Sequence, residues 1–252
     1  MILYFSATGN SKYIAETIAK SMNDECMSIV TCIQEKRYCF ENEKVLSVVS
    51  PTYFWRLPRI VATFLENIQM INCAYTFFVL SYGTTTGSAV HFTEKLMQEN
   101  SQKFDAYYSV IMPDTWTPMF DLTDQKKIDA KLNEGEQQLQ NIITKIQVNT
   151  NGDFVKGKLL VLITALPSLY MYHTERKTKL LSVNQDICIG CGLCAKKCPV
   201  QAIAMKDGYP VWKDKECEMC LGCLHRCPKF AIQYGNGKTN KHGQYRNPNT
   251  AI

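Results

Sequence analysis

Eight of the twelve cysteines in this 252-residue sequence lie in two runs with the spacing C-x2-C-x2-C-x3-C-P, and the second run begins 29 residues after the first. Three thiolates spaced two residues apart can surround one iron–sulfur cubane from a tight loop, and the fourth is placed to serve the other cluster. The spacing therefore predicts two [4Fe–4S] clusters with crossed ligands. We expect the first cluster to take Cys188, Cys191, Cys194 and Cys227, and the second to take Cys217, Cys220, Cys223 and Cys198.

Zinc sites and disulfides are the alternatives for such a cysteine-rich segment. Structural zinc also uses C-x2-C units, but typically as two separated pairs that supply four ligands in all. The sequence begins with an apolar strand and lacks the basic and apolar regions of a signal peptide. We therefore expect a cytoplasmic protein, in which disulfide frameworks are rare. Four isolated upstream cysteines are expected to be ordinary packed side chains, namely Cys26, Cys32, Cys39 and Cys73.

A second candidate site follows the first predicted strand and combines hydroxyl side chains with a glycine and a lysine. The backbone N–H groups of such a loop, and the positive end of the helix that follows, favour a bound phosphate. The loop has neither the Gly-Lys-Ser/Thr ending of a Walker loop nor the G-x-G-x-x-G pattern. A plain capped turn is the alternative. The candidate residues are Ser6, Thr8, Gly9, Asn10, Ser11 and Lys12.

Two further loops, rich in aromatic and hydroxyl residues, follow the predicted third and fourth strands. Open α/β sheets bind ligands at the carboxyl ends of their strands, and aromatic side chains there can stack on a flat ring. Residues 113–116 follow the fifth strand on the same edge, and either contact a ligand or partner or cap the next helix. The candidates in the two loops are Pro51, Thr52, Tyr53, Phe54, Trp55, Ser81, Tyr82, Gly83 and Gly87.

The scaffold that must position these loops can be read from alternating apolar and amphipathic stretches. Strands are predicted over residues 1–6, 26–33, 45–50, 75–81 and 106–112, and helices after residue 12 and over 57–70, 87–100 and 123–148. This alternation predicts a parallel sheet with helices on both faces. The continuous apolar strands fit a sheet that is covered on both sides. Five strands are the number of the doubly wound fold with strand order 2-1-3-4-5.

Both candidate sites resemble those of known families. Residues 6–11 match the flavodoxin pattern (S/T)-x-T-G-N-(S/T), a loop that holds the 5′-phosphate of FMN, and the cysteine runs are similar to those of bacterial two-cluster ferredoxins. The chain as a whole looks like the flavodoxin–ferredoxin fusion proteins of bacteria and archaea. This resemblance implies a flavodoxin-like five-stranded α/β domain that binds FMN and a small α+β ferredoxin domain that binds the two clusters.

The resemblance and the composition together divide the chain into four parts. The flavodoxin-like domain is expected over residues 1–149, a linker with a docking helix over 150–180 and the ferredoxin domain over 181–235. Residues 236–252 are rich in Gly, Asn and Lys, and we expect them to form a flexible tail.

The linker contains an apolar stretch, residues 158–172, that is interrupted by Pro167. It is too short to cross a bilayer, so no transmembrane segment is expected. We expect a helix packed between the two domains; a weak contact with a membrane surface, helped by Lys177 and Lys179, is the alternative. The formal net charge is +5, but the basic residues are scattered and the cluster thiolates offset them, so no nucleic-acid partner is expected.

These cofactors predict an electron-transfer protein. The clusters would exchange single electrons with redox partner proteins, and FMN would couple one-electron to two-electron chemistry. A flavin-dependent reductase of a small substrate, fed by the clusters, is one alternative, and a redox-sensing module is another. The candidate proton donors of a reductase are Tyr53, Tyr82, His91 and Asp114. They form no recognisable catalytic constellation, so we expect no catalytic residue beyond the cofactors.

Overall fold

The computed structural model describes residues 1–174, 178–213, 217–235 and 238–252. We refer to residues 1–149 as the α/β domain, to residues 181–235 as the cysteine module and to residues 238–252 as the tail. The strands are β1 Ile2–Tyr4, β2 Cys26–Ser28, β3 Cys39–Glu41, β4 Leu46–Pro51, β5 Gln69–Ile71, β6 Thr76–Tyr82, β7 Ala106–Ile111, β8 Gly152–Asp153, β9 Leu181–Val183, β10 Ile203–Lys206, β11 Tyr209–Trp212 and β12 Ile232–Tyr234. The α-helices are α1 Asn10–Met22, α2 Ile29–Gln34, α3 Arg59–Asn67, α4 Ala89–Glu99, α5 Gln125–Gln147, α6 Val161–Thr174, α7 Leu193–Lys196, α8 Gly222–Arg226 and α9 Lys238–His242.

A parallel sheet of six strands, in the order β2-β1-β4-β6-β7-β8, forms the centre of the described residues. All seven residues of β6 are buried, as expected for a strand that is covered on both faces. The register pairs Tyr4 with Val49 and Pro51 with Ser81, so the carboxyl ends of β1, β4 and β6 meet along one edge. The predicted count of five strands is wrong, because Gly152 and Asp153 add a two-residue strand beside β7.

Each face of the sheet is covered by helices whose apolar positions recur at helical spacing. On one face, α1 and α5 bury Ile14, Ile18, Leu139 and Ile143 against the sheet. On the other face, α2, α3 and α4 contribute a separate apolar cluster that includes Phe64. Packing of amphipathic helices on both sides explains why the central strands are apolar throughout.

The predicted strand over residues 26–33 is wrong beyond Ser28. The Ser28 hydroxyl accepts a hydrogen bond from the Val30 N–H group at 3.2 Å and caps α2. Ile29 and Cys32 are three residues apart and both fully buried, so one helical face reaches the core. Tertiary burial has overridden the strand preference of this β-branched run.

Helix α6 confirms the expected helical state of the apolar linker, but much of its apolar surface is exposed. Ile163, Leu166 and Tyr170 of this helix are between 64% and 77% exposed. It contacts the α/β domain through polar groups instead, including a 2.7 Å hydrogen bond between the hydroxyls of Thr164 and Ser88. No helix within the described residues is long and apolar enough to cross a membrane.

The cysteine module consists of two small antiparallel sheets, β9 with β12 and β10 with β11, and two short helices. The tail leaves this module and returns to the α/β domain. Tyr245 is 5% exposed and Asn247 is 2% exposed. These two side chains of the tail are packed, whereas the sequence indicated a flexible segment.

Candidate functional site

A cavity of about 340 Å³ opens at the carboxyl ends of β1, β4, β6 and β7, and we call it the aromatic cavity. It brings together most of the residues that the sequence analysis selected for a flavin. The predicted residues that line it are Ser6, Thr8, Asn10, Ser11, Pro51, Thr52, Tyr53, Phe54, Trp55, Ser81, Tyr82 and Gly83. Three loops that are far apart in sequence therefore converge because parallel strands end at the same edge.

The loop between β1 and α1 forms one end of the aromatic cavity. Gly9 has a φ of 100° and directs the chain into α1, whose start no side chain of the described residues caps. The Gly9 N–H donates to the Ser6 hydroxyl at 3.1 Å, and the Ser11 hydroxyl lies 2.8 Å from that of Ser81. A hydroxyl-rich loop at an uncapped helix start is suited to an anionic group.

Three of the predicted flavin residues, Gly9, Lys12 and Gly87, are not among the lining residues. The Lys12 ammonium group donates to the Ala251 carbonyl at 2.6 Å and lies 3.5 Å from the Glu16 carboxylate. At Gly87, whose φ is 56°, a Cβ atom would collide with the side chain of Trp55. Gly87 therefore makes room for Trp55 rather than lining the cavity itself.

Phe54 and Trp55 occupy the two central positions of a tight turn. Tyr53 and Arg56 exchange backbone hydrogen bonds of 2.9 and 2.8 Å on either side of it. Both aromatic residues have positive φ values, 51° and 62°, where turns of this kind usually place asparagine or glycine. A strained backbone that presents two aromatic side chains to a cavity is typical of a functional loop.

Two polar groups in the aromatic cavity leave bonding capacity for a ligand. The buried Thr52 hydroxyl has no hydrogen-bond partner among the described residues. Asp114 follows β7, and burial raises the pKa of its carboxyl group above the usual value, although the Trp116 N–H group bonds to it and opposes the shift. Aromatic walls, an unpaired hydroxyl and an anion-binding loop together fit the parts of a flavin mononucleotide.

The remaining candidate proton donors are divided between the cavity and the surface. Tyr53 and Tyr82 line the aromatic cavity, and burial raises the pKa of both phenols. His91 is exposed on α4, beside Phe92, and is not among the lining residues.

One wall of the aromatic cavity comes from outside the α/β domain. Met219 and Cys220 of the cysteine module and Met171 of α6 line it. Sequence reasoning missed Met171 and Met219 and gave Cys220 only a cluster role, because periodicity and motifs carry no signal for contacts between segments this far apart.

The eight clustered cysteines face two further cavities of about 20 Å³ each. The first cysteine cavity is lined by Cys188, Cys191, Cys194 and Cys227, and the second by Cys198, Cys217, Cys220 and Cys223. Each cavity thus combines three cysteines of one run with the last cysteine of the other. In the described ranges, no three His, Cys, Asp or Glu side chains form a group that could hold a single metal ion.

Backbone amides surround the cysteine sulfurs. The Ala202, Met219 and Ala231 N–H groups each donate to a cysteine Sγ atom at 3.3 Å. Such bonds tune the potential of a cluster held by these sulfurs. Burial raises the pKa of Cys220 to about 12, so binding of iron must displace the thiol proton.

The cysteine module is held on the α/β domain by buried polar contacts. The Glu218 carboxylate accepts from the Arg59 N–H group and, at 3.4 Å, from the Ile60 N–H group, at the start of α3. Burial lowers the pKa of His225 to about 4, so its ring is neutral. Its Nδ1 atom accepts from the Tyr245 N–H group at 3.1 Å, which leaves Nε2–H to donate to the Thr115 carbonyl at 2.9 Å.

Comparison with known proteins agrees with this division. Residues 1–140, more than half of the chain, match the family model of a flavodoxin domain, and residues 180–228 match that of a 4Fe-4S dicluster domain. The chain belongs to the flavodoxin domain family and carries a ferredoxin-type dicluster domain behind it. The chain therefore combines a flavodoxin domain with a 4Fe-4S dicluster domain.

Curated relatives match about a quarter of the chain. An uncharacterized ferredoxin of Methanocaldococcus jannaschii is 40% identical over 63 residues, 23% of this chain and 35% of that protein. A ferredoxin of Pyrobaculum islandicum is 32% identical over 77 residues, 28% of this chain and 70% of that protein. The chain thus spans about a third of the first relative and over two thirds of the second.

Solved structures align with somewhat more than half of the chain. A flavodoxin from the domain Archaea aligns with a TM-score of 0.32 at 17% identity, over 58% of this chain and 96% of that one. The rubredoxin:oxygen oxidoreductase of Desulfovibrio gigas aligns with a TM-score of 0.35 at 17% identity, over 56% of this chain and 35% of that one.

Proposed function

We propose that the chain relays electrons between two [4Fe–4S] clusters and FMN on the same polypeptide. One observation carries the proposal: Cys220 lines both the second cysteine cavity and the aromatic cavity. Cys220 would then be both a cluster ligand and part of the wall of the flavin site. The path for electrons through the protein interior would therefore be short. The α/β domain and the cysteine module would then form one redox unit rather than two tethered carriers.

The eight cysteines would hold the clusters in the crossed arrangement. Cys188, Cys191, Cys194 and Cys227 face one cavity, and Cys217, Cys220, Cys223 and Cys198 face the other. Clusters of this kind supply one-electron redox chemistry when bound. The protein contributes the thiolates, the N–H donors to sulfur and the fixed distance between the two sites.

The exposure of the two cysteine cavities suggests an order for the relay. Cys191 is exposed and Ile189 is 60% exposed beside the first cavity, so a cluster there can meet a redox partner protein. Met219, at 3% exposure, covers the second cavity from the side of the α/β domain. The first cluster would therefore exchange electrons with partners and the second with the flavin.

The aromatic cavity would hold FMN with its phosphate at the loop between β1 and α1. Ser6, Thr8 and Ser11 would bind the phosphate end, and Thr52 has an unpaired hydroxyl for the ligand. Tyr53, Phe54 and Trp55 are the candidates for stacking on the ring. Bound flavin couples one-electron to two-electron transfer.

A flavin-dependent reductase of a small substrate is the second candidate, favoured by one observation. Asp114 is a half-buried carboxyl group in the aromatic cavity with a raised pKa, as expected of a proton donor. Steady turnover of the cluster-loaded, flavin-loaded protein with a small electron acceptor would support this reading. Electron exchange with protein partners alone would support the carrier.

The cofactor content tests the proposal. Protein purified without oxygen is expected to contain about eight irons, about eight labile sulfides and about one FMN per chain, since each cubane holds four of each element. An iron content of about four per chain would mean that the protein binds only one cluster. Bound zinc would contradict the ligand assignment, and a chain that takes up no FMN would contradict the relay.

A further inference from the structure

We infer that the tail positions the phosphate loop of the FMN site, and that Tyr245 and Asn247 are the residues that do so. The inference rests on the proposed function, because it assumes that the aromatic cavity holds FMN. It assigns the tail, which the sequence indicated to be flexible, a role in binding the cofactor.

The side chain of Asn10, the first residue of α1, makes three hydrogen bonds in this arrangement. Its Nδ2 atom donates to the Pro113 carbonyl at 3.1 Å. Its Oδ1 atom accepts from the Tyr245 hydroxyl at 2.8 Å and from Asn247 Nδ2 at 3.1 Å. All three bonds are buried, so Asn10 joins the phosphate loop to the tail and to the loop after β7.

The tail also fixes a peptide group of the phosphate loop. The Asn247 N–H group donates to the Thr8 carbonyl at 2.8 Å. Because the Thr8–Gly9 peptide is trans, its C=O and N–H groups point in opposite directions. A carbonyl held towards the tail keeps a negative dipole away from a bound anion and turns the Gly9 N–H inward, where it donates to Ser6.

The tail and the loop are in direct contact at Gly9. A Cβ atom on Gly9 would lie 2.9 Å from Asn247 Cβ, so the glycine permits the close approach. Among the described residues that line the aromatic cavity, none belongs to the tail. The tail therefore supports the loop from behind and leaves the cavity open to a ligand.

The tail is also anchored to the cysteine module, through the residue that directly precedes Tyr245. The Gln244 side-chain amide donates to the Leu224 carbonyl at 2.6 Å and to the Cys227 carbonyl at 2.8 Å. Cys227 is a proposed cluster ligand, and a metal centre contributes folding free energy to the segment that binds it. The tail thus connects cluster assembly to the phosphate loop, and removal of the clusters should weaken FMN binding.

Substitutions in the full, cluster-loaded chain test the inference by FMN titration, followed by flavin fluorescence. Asn247→Ala removes a buried hydrogen bond to Asn10 and should weaken FMN binding about tenfold, and Tyr245→Phe should weaken it about threefold. Asn249→Ala is the matched control, because Asn249 is exposed on the same tail, and should bind FMN as the unmodified chain does. Iron content should be the same in all four proteins.

Hydrogen exchange of residues 7–12 in the cluster-loaded, flavin-free protein gives a second readout that needs no FMN. Exchange should be faster in Asn247→Ala than in Asn249→Ala. Unchanged FMN affinity together with unchanged exchange in Asn247→Ala would overturn the inference. An unmodified chain that binds no FMN would instead overturn the proposed function, and the exchange experiment would still decide whether the tail holds the loop.

Discussion

The two cysteine cavities have the same pattern of cysteines and a similar backbone conformation, but they differ in the residues that lie beside them. In the first run, Gly190 and Gly192 have φ values of 64° and 68°; in the second, Met219 and Leu221 occupy the equivalent positions at 51° and 52°. Glycine adopts this left-handed conformation freely, whereas other residues are strained in it. The second run accepts that strain, and its Met219 side chain lines the aromatic cavity.

The residues that follow the first cysteine of each run also differ in exposure. Ile189 is 60% exposed, whereas Glu218 is 7% exposed and caps α3 of the α/β domain. An internal repeat can therefore provide two equivalent ligand sets and still give them different neighbours. Side chains between the ligands, rather than the ligands, decide which cavity faces solvent and which faces the flavin site.

Loss of one ligand from each cavity should have the largest effect and separate the two roles. Cys220→Ala should remove the second cluster, lower the iron content to about four per chain and abolish reduction of the flavin by the remaining cluster. Cys191→Ala should lower the iron content equally but leave a cluster beside the flavin site. Anaerobic reduction followed by absorption spectroscopy measures both effects, and equal flavin reduction in the two variants would contradict the assigned order.

Glu218→Ala should weaken the attachment of the cysteine module. The carboxylate accepts from two N–H groups at the start of α3, and loss of such a cap costs about 1–2 kcal/mol. Glu66→Ala is the control, because Glu66 is exposed on the same helix. Denaturant unfolding under anaerobic conditions measures the difference, and equal free energies of unfolding in the two variants would argue against the cap.

Asp114→Asn should change the pH dependence of stability. Burial raises the pKa of Asp114, so the folded chain binds this proton more tightly than the unfolded chain. The contribution of this proton to the free energy of unfolding is fully present below the pKa of Asp114 in the unfolded chain, about 3.9. It is lost as the pH rises through the pKa of Asp114 in the folded chain. Asparagine does not ionise, so the stability of the variant relative to the unmodified chain should increase as the pH rises over this range.

Unfolding temperatures of the cluster-loaded, flavin-free proteins between about pH 4 and pH 7 would measure this effect. Parallel curves for Asp114→Asn and the unmodified chain would show that Asp114 titrates normally, and would remove the argument for a proton donor beside the flavin.

Lys229→Gln should have the smallest effect. Lys229 is exposed beside the first cysteine cavity, so its charge should attract anionic redox reagents. Oxidation of the reduced clusters by ferricyanide should slow about twofold at low ionic strength and lose this difference at high salt. Lys20→Gln, on α1 of the α/β domain, should leave the rate unchanged; an equal effect of both substitutions would mean that electrons leave elsewhere.

Much of the α/β domain could be predicted because its signals are local. Continuous apolar strands, amphipathic helices and the loop over residues 6–11 each carry their own pattern. The local errors have local causes. Residues 29–33 are mostly β-branched, which favours a strand, but Ser28 caps a helix there. Strand β8 has two residues, too few for any periodicity.

The candidate site was predictable where motifs exist and not where distant segments meet. The loops after β1, β4 and β6 could be selected because strand ends converge. Met171, Met219 and the tail residues Tyr245 and Asn247 could not, since their positions depend on how the cysteine module and the tail fold back onto the α/β domain. The polar composition of the tail suggested disorder, but buried hydrogen bonds to Asn10 hold it in place.

The rate at which electrons pass from the clusters to the flavin shows whether the two sites form one redox unit. Rapid mixing of the flavin-loaded, cluster-loaded protein with a one-electron reductant, without oxygen, should show the clusters reduced first and the flavin afterwards. We expect a first-order second phase whose rate constant does not change with protein concentration, because Cys220 lies at both sites. A second phase whose rate rises in proportion to protein concentration would contradict it, because the electrons would then pass between molecules.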